Sequence, residues 1–228
     1  LVGGLRKAVA AGTVVPVLAG APKAGIGLEA LMDALVDFMP APNDVGPANA
    51  KDGTSDSADE VELACDPAGP LAAFVFKTAA DPFVGKLSYF RVYSGTFKSD
   101  SQVWNANRGE AERVGQLYEV RGKAQEGVAE LVAGDIGAVS KLSSVMTGDT
   151  LCVRESPAVL PALKFPDPVY RRAVYPSSKA DVDKMTSSLA RMSEEDPSLS
   201  VTREPDTLEV LLGGLGDSHI EVAVEKMK

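Results

Sequence analysis

The 228 residues hold few groups in spacings that do chemistry. Gly85-Lys86 in DPFVGKLS is the nearest approach to a phosphate-cradling loop. Ala80 stands where the first glycine would be, however, and Leu87 where a magnesium-binding Ser or Thr is needed. Nucleotide hydrolysis is not encoded by that stretch. The adjacent carboxylates Glu194 and Glu195 fall at a predicted helix end, where solvated charge is the expected role. The single histidine, His219, excludes any centre built on several imidazoles, and after a glycine turn its expected role is packing or capping. Cys65 and Cys152 lie in no CxxC pair and near no histidine cluster, so neither a zinc site nor a disulfide framework follows. A reducing compartment fits, and no catalytic residue and no metal ligand is expected.

Around these residues the composition is globular, with 45% hydrophobic and 24% charged residues. No apolar run approaches the roughly 18 residues of a membrane span. The net charge of -9 is uneven: residues 40–69 carry seven acids against one lysine, while residues 70–156 carry ten of each sign. An acidic chain argues against a dedicated DNA-binding module, yet leaves room for a local phosphate-contacting patch in the balanced middle.

Four segments follow. Residues 1–39 contain TVVPVLA, a β-branched run, then a Gly-rich stretch, then Leu28, Leu31, Met32, Leu35, Val36 and Met39 at helical spacing. Strand, loop and helix are the pieces of an α/β domain whose other strands are not in view. Residues 40–69, rich in Pro, Gly, Ser and Asp, read as a flexible acidic linker, with about 43–66 the most mobile part. Residues 70–156 are short strand-like runs between turn clusters, with Phe74/Phe76 and Phe90/Val92 alternating, which predicts a closed antiparallel barrel. Residues 157–228 read β-α-β-β-α: PVYRRAVYP is a strand, and Val182, Met185, Leu189 and Met192 share a helix face. SLSVTRE and TLEVLLGG then form a hairpin, and Ser218 to Glu221 opens a last helix as a capping box. The whole predicts a multidomain α+β chain: an α/β piece, an antiparallel barrel, and a ferredoxin-like split β-α-β unit lacking its last strand.

The wording of these segments is more specific than their pattern. ADPFVGKLSYFRVYSG, AGDIGAV and TGDTLC resemble the second domain of elongation factor G. FPDPVYRRAVYP, KADVDKMTSSLARMSEEDPSLSV and GGLGDSHIEVAVEKMK resemble its third domain, in the same order. PVLAGAPKAGIGLEALMDALVDFMPAP resembles the end of its GTPase domain. The resemblance implies a piece of a ribosome-associated translational GTPase that couples GTP hydrolysis to movement of tRNA and mRNA in the cytoplasm. GTP and magnesium would then belong to the longer parent, with no cofactor expected here. The barrel would meet small-subunit ribosomal RNA, and Arg91, Arg108 and Arg113 are the expected phosphate contacts. Neither DNA nor a membrane is an expected partner.

Two departures stand out. The family's guanine loop, usually Gly-Ser-Ala, reads Gly20-Ala21-Pro22, and proline has no N–H. The family's Gly-Glu-Leu-His reads Gly216-Asp217-Ser218-His219. A divergent paralogue of ribosome-protection or release type is the alternative within the family, and a standalone RNA- or protein-binding barrel the alternative outside it. With one strand and one parallel sheet missing, the two ends are expected either to self-associate or to be locally disordered.

Overall fold

Helix α1 (Val2–Ala10) packs beside α2 (Leu28–Phe38) in the first of two compact units, Leu1–Pro47 and Ala48–Lys228. The structure is a computed structural model and describes residues 2–53, 59–81 and 85–227. Arg6 closes the first unit through an Nη2 contact of 2.7 Å with Asp44 Oδ2. The helical spacing from Leu28 to Met39 is realised as α2, but of its residues only Ala34 is buried. The expected strand at 13–19 does not form. Its residues join no ladder among the described residues, the Thr13 and Val14 N–H groups donating back to Ala8 O instead, and Val17 is 91% exposed. β-branched residues favour a strand only where another strand can take their N–H and C=O groups.

The expected unstructured linker at 40–69 is the larger correction. Strands β1 (Ala48–Asp52) and β2 (Glu60–Leu63) form an antiparallel hairpin, Ala48 facing Leu63 and Lys51 facing Glu60. Residues 54–58, within the stretch expected to be most mobile, lie outside the described residues. A narrow apolar stripe does the holding: Ala50 and Leu63 are buried, with Ala48 and Val61 packed against them. Small alanines among many acids hid that stripe in the composition. The acidic stretch is also no connector between the two units, whose division falls at Pro47/Ala48.

The barrel follows: β3 (Ala72–Asp81), β4 (Gly85–Ser94), β5 (Thr96–Lys98), β6 (Gln102–Asn105), β7 (Glu110–Arg113), β8 (Leu117–Arg121), β9 (Ala124–Val128), β10 (Glu130–Val132), β11 (Ile136–Ser140) and β12 (Thr150–Cys152). Its main sheet runs β7-β6-β12-β3-β4-β11-β8-β9, every pairing antiparallel, and β5 pairs with β10 beside it. Val75, Phe90, Val92, Phe97, Leu117, Val139 and Leu151 fill the interior, Phe90 and Phe97 with ring centroids 4.7 Å apart. Burying each such side chain is worth about 1.5–3 kcal/mol.

A short strand β13 (Ala158–Val159) returns to pair with β1, so that β13-β1-β2 lies as a small sheet against β3. Phe74 points into this outer cluster while Val75 points inward, and both faces of β3 are therefore covered.

The remaining chain gives β14 (Tyr170–Val174), α3 (Val182–Glu195), β15 (Ser200–Arg203), β16 (Val210–Gly214) and α4 (Asp217–Met227). Strand order β14-β16-β15 places β16 between the two strands that α3 joins, which is the split arrangement expected. Leu189 and Met192 of α3 and Ile220 and Ala223 of α4 bury against Leu212. Helix α4 starts one residue earlier than read, at Asp217, so Ser218 lies inside it and is not its cap. No helix is long and apolar enough to cross a membrane among the described residues.

Candidate functional site

The barrel's outer face places the three arginines apart. Arg91, on β4, lies with its guanidinium 5.3 Å from the Tyr93 ring two residues on, the period that sets both on one side of a strand. Arg113 ends β7, at the margin of the main sheet, and is exposed. Between β4 and β7 stand β3, β12 and β6, a path of about 19 Å measured along the sheet at about 4.8 Å per strand. Arg108, in the β6–β7 turn, is tied inward, its Nε 2.9 Å from Asp149 Oδ2. Two further cations cover aromatic rings, Lys77 over Tyr89 and Arg154 over Trp104, at 5.7 and 4.9 Å. The latter pair had no sequence signal, because the β12–β6 ladder that brings Cys152 opposite Trp104 joins residues far apart in the chain. Such cation-covered rings are suited to phosphate and base contacts.

Two carboxylates organise the loops that flank this face. Asp149 accepts from Asn105 Nδ2, Arg108 Nε and the Met146 N–H, each at 2.9 Å. Glu112 accepts from the Ser144 N–H and hydroxyl at 2.6 Å and from the Ser143 N–H at 3.3 Å, pinning the β11–β12 loop to β7. Burial pushes the Glu112 carboxyl up. The Ser144 and Ser143 donors and the charge of Lys86 outweigh it, and hold the group below its ordinary 4.5. Its contribution is complete above that value and is lost as pH falls through the lower folded one. The urea midpoint of the unsubstituted chain should exceed that of Glu112→Gln at about pH 7, and the difference should vanish once the pH falls below the lowered folded value of Glu112. A gap that persisted in acid would refute a charge-based role.

Glu194 and Glu195, expected to be solvated, are instead engaged. Glu194 Oε2 is 3.1 Å from Lys86 Nζ, and the Ala80 N–H donates to Glu195 Oε1 at 2.6 Å. A helix end read in isolation cannot show the barrel hairpin beside it. His219 closes a turn: its Nδ1 accepts the Leu215 N–H at 3.1 Å, leaving Nε2–H to face Asp196 Oδ2 at 3.1 Å. Burial raises Asp196, but the Ser198 hydroxyl and N–H, with His219, hold it below its usual 3.8. Cys152 is fully buried, and burial pushes its thiol up despite the Ala158 N–H, as befits a packing residue.

The loop at Gly20 to Pro22 folds back on itself: the Ala21 N–H donates to Ile26 O at 3.0 Å and the Ile26 N–H to Ala21 O at 3.2 Å. With the Ala21 N–H committed and none on Pro22, these residues do not fit a row of backbone donors to a purine. Among the described residues no cluster of His, Cys, Asp and Glu could hold a metal ion.

A model of elongation factor G domain 2 matches residues 70–154, and a model of elongation factor G domain III matches residues 165–228. A crystal structure from Thermus thermophilus matches with a TM-score of 0.78 at 28% identity, over 99% of this chain and 31% of that one. The chain thus spans less than a third of that relative's length. Barrel and split β-α-β unit occur here in the order of those two models, so the chain belongs to the elongation factor G family and carries its domains 2 and III.

Proposed function

We propose that the chain works within a ribosome-associated translational GTPase of the elongation factor G type, promoting GTP-dependent translocation of tRNA and mRNA in the cytoplasm. Its own part is ribosome binding and transmission, without catalysis. The observation that carries this reading is the ordered pair of domains, matched by two separate models and by one structure over 99% of the chain. GTP and magnesium serve the longer protein, since no phosphate loop occurs in these residues.

Small-subunit ribosomal RNA is the partner we assign to the barrel's outer face. Arg113, exposed on the edge strand β7, is the freest of the three arginines for a phosphate, whereas Arg108 shares its charge with Asp149 and Arg91 rests on Tyr93. Co-sedimentation with small ribosomal subunits should fall steeply with salt, and Arg113→Glu should flatten that dependence by about one phosphate contact. Unaltered sedimentation of Arg113→Glu across the salt series would remove Arg113 from the interface, and absence of sedimentation at low salt would overturn the ribosomal reading. GTP with magnesium titrated into the chain should give no binding heat; micromolar affinity would contradict a division of labour with the rest of the protein.

A further inference from the structure

We infer that the C-terminal end of α3 is a detachable clasp on the β3–β4 hairpin, with Glu194 and Glu195 as its two contacts and Lys86 as the barrel residue that senses whether it is closed. The inference does not depend on the ribosomal reading above. Three observations carry it, and each concerns a different level of the fold.

The first is that the barrel and the third-domain sheet have separate cores. The interior cluster of the barrel draws on no residue beyond Val153, and the cluster around Leu212 draws on none before Val174. Between them residues 160–169 carry Pro161, Pro166 and Pro168 and form no helix or strand. Domains joined by an extended connection, with no shared apolar cluster, are free to move unless polar contacts restrain them.

The second is the contact itself. α3 packs beside β3, and the two polar links there converge on one cross-strand pair, Ala80 and Lys86. Ala80 offers its N–H to Glu195 and Lys86 its ammonium to Glu194. Both barrel partners are partly buried, so the links are less screened than open-surface pairs.

The third is that α3 is built to need these partners. Its last turn reads Met192-Ser193-Glu194-Glu195, followed by Asp196, with no basic residue. Acidic charge at a helix C-terminus opposes the dipole, whose negative end lies there. Ser198 and His219 relieve Asp196 from within the domain, whereas Glu194 and Glu195 find their described partners on the barrel. Release from the hairpin therefore loosens the helix end that made the contact. Lys86 carries the event onward, since its Nζ also lies 3.9 Å from Met146 Sδ and its C=O accepts the Lys141 N–H at 3.0 Å, both in the loop that Glu112 pins.

The test uses the 228-residue chain with Cys65→Ser, spin-labelled at Lys98→Cys on β5 and Ser187→Cys on α3, leaving buried Cys152 in place. Pulsed electron paramagnetic resonance should give one narrow distance peak at low salt. Glu194→Lys, Lys86→Glu and Glu195→Gln should each raise the detached fraction about tenfold, in line with the loss of one charge-assisted hydrogen bond. Combining Glu194→Lys with Lys86→Glu should restore the narrow peak. Amides 193–196 should exchange about tenfold faster in the single variants, while those of Leu212 and Leu151 stay protected. Unchanged distances, a combined variant no better than the single ones, or parallel loss of protection at Leu212 would each overturn the clasp.

Discussion

Gly95→Ala is expected to leave the barrel unable to fold cooperatively. Gly95 sits between β4 and β5 with φ of 76°, and a Cβ there would lie 2.6 Å from both the Cα and N of Leu71 and 2.8 Å from Gly69 O. These are backbone atoms and cannot rotate aside as a side-chain tip would. The residue is also a junction, its N–H donating to Asp66 O at 2.9 Å and its C=O accepting from the Ala133 N–H at 3.0 Å. Moving it to relieve the clash would part the 64–71 segment and the β10–β11 turn together. Left-handed backbone costs a non-glycine residue about 1–2 kcal/mol, and the clash adds to that within a total stability of about 5–15 kcal/mol. Gly122, in the β8–β9 turn with φ of 61° and no atom near its missing Cβ, isolates the conformational part. Gly122→Ala should melt a few degrees low, whereas Gly95→Ala should show no cooperative near-ultraviolet transition. Similar melting of the two variants would show that the 64–71 segment can shift without loss of the barrel.

Turn chemistry made the barrel legible, since Gly95, Gly109, Gly134 and Gly148 all adopt positive φ between strands and break the chain where the ladders require it. The split β-α-β unit was legible for a related reason: Leu189 and Met192 face one buried side over a full-length helix, and periodicity survives when only one face is covered. It fails where both faces are covered. Phe74 and Phe76 alternate in sequence, yet the residues that fill the barrel are Ala73 and Val75, because the small sheet of β13, β1 and β2 covers the other side of β3. That sheet was itself unreadable, its inward residues being mostly alanine in a run dominated by acids and turn formers. TVVPVLA misled in the opposite direction, having strand propensity without a partner among the described residues.

The candidate surface was legible by residue type rather than by arrangement. Arginines on a charge-balanced barrel are visible in the sequence, but their partners are tertiary. Nothing local says that Arg108 turns toward Asp149, 41 residues on, while Arg113 stays exposed. The same holds for Glu194 and Glu195, whose partners lie more than a hundred residues earlier. His219 differs because both of its contacts are inside one domain, and the glycine turn before it already implied a local packing or capping role.

Asp149→Ala should be nearly as damaging as Gly95→Ala, for an electrostatic reason instead of a steric one. The Asp149 side chain, 10% exposed, is the meeting point of three donors from β6, from the β6–β7 turn and from the loop before β12. Asn105 has no exposure at all, and its Oδ1 is held by the Asn107 N–H, so its amide group would be left buried without an acceptor. Stranding the buried Asn105 donor costs about 1–3 kcal/mol, and loss of the acceptor for the part-buried Met146 N–H adds about 1 kcal/mol, whereas the Arg108 guanidinium, 42% exposed, is left to solvent at little cost. The neighbouring bonds would follow: Asn107 Oδ1 accepts the Thr150 N–H at 2.8 Å, and Thr150 Oγ1 accepts the Leu160 N–H at 3.0 Å, which seats β13. Arg108→Ala removes only the cation, which is 42% exposed, and leaves Asn105 and Met146 satisfied, so its cost should stay below about 1 kcal/mol. Urea unfolding of the two variants tests the asymmetry. If Arg108→Ala proved as destabilising as Asp149→Ala, the ion pair would be the source of the stability. If neither mattered, the buried amide would have found water, and the loop before β12 would owe its position to Glu112 and Ser144.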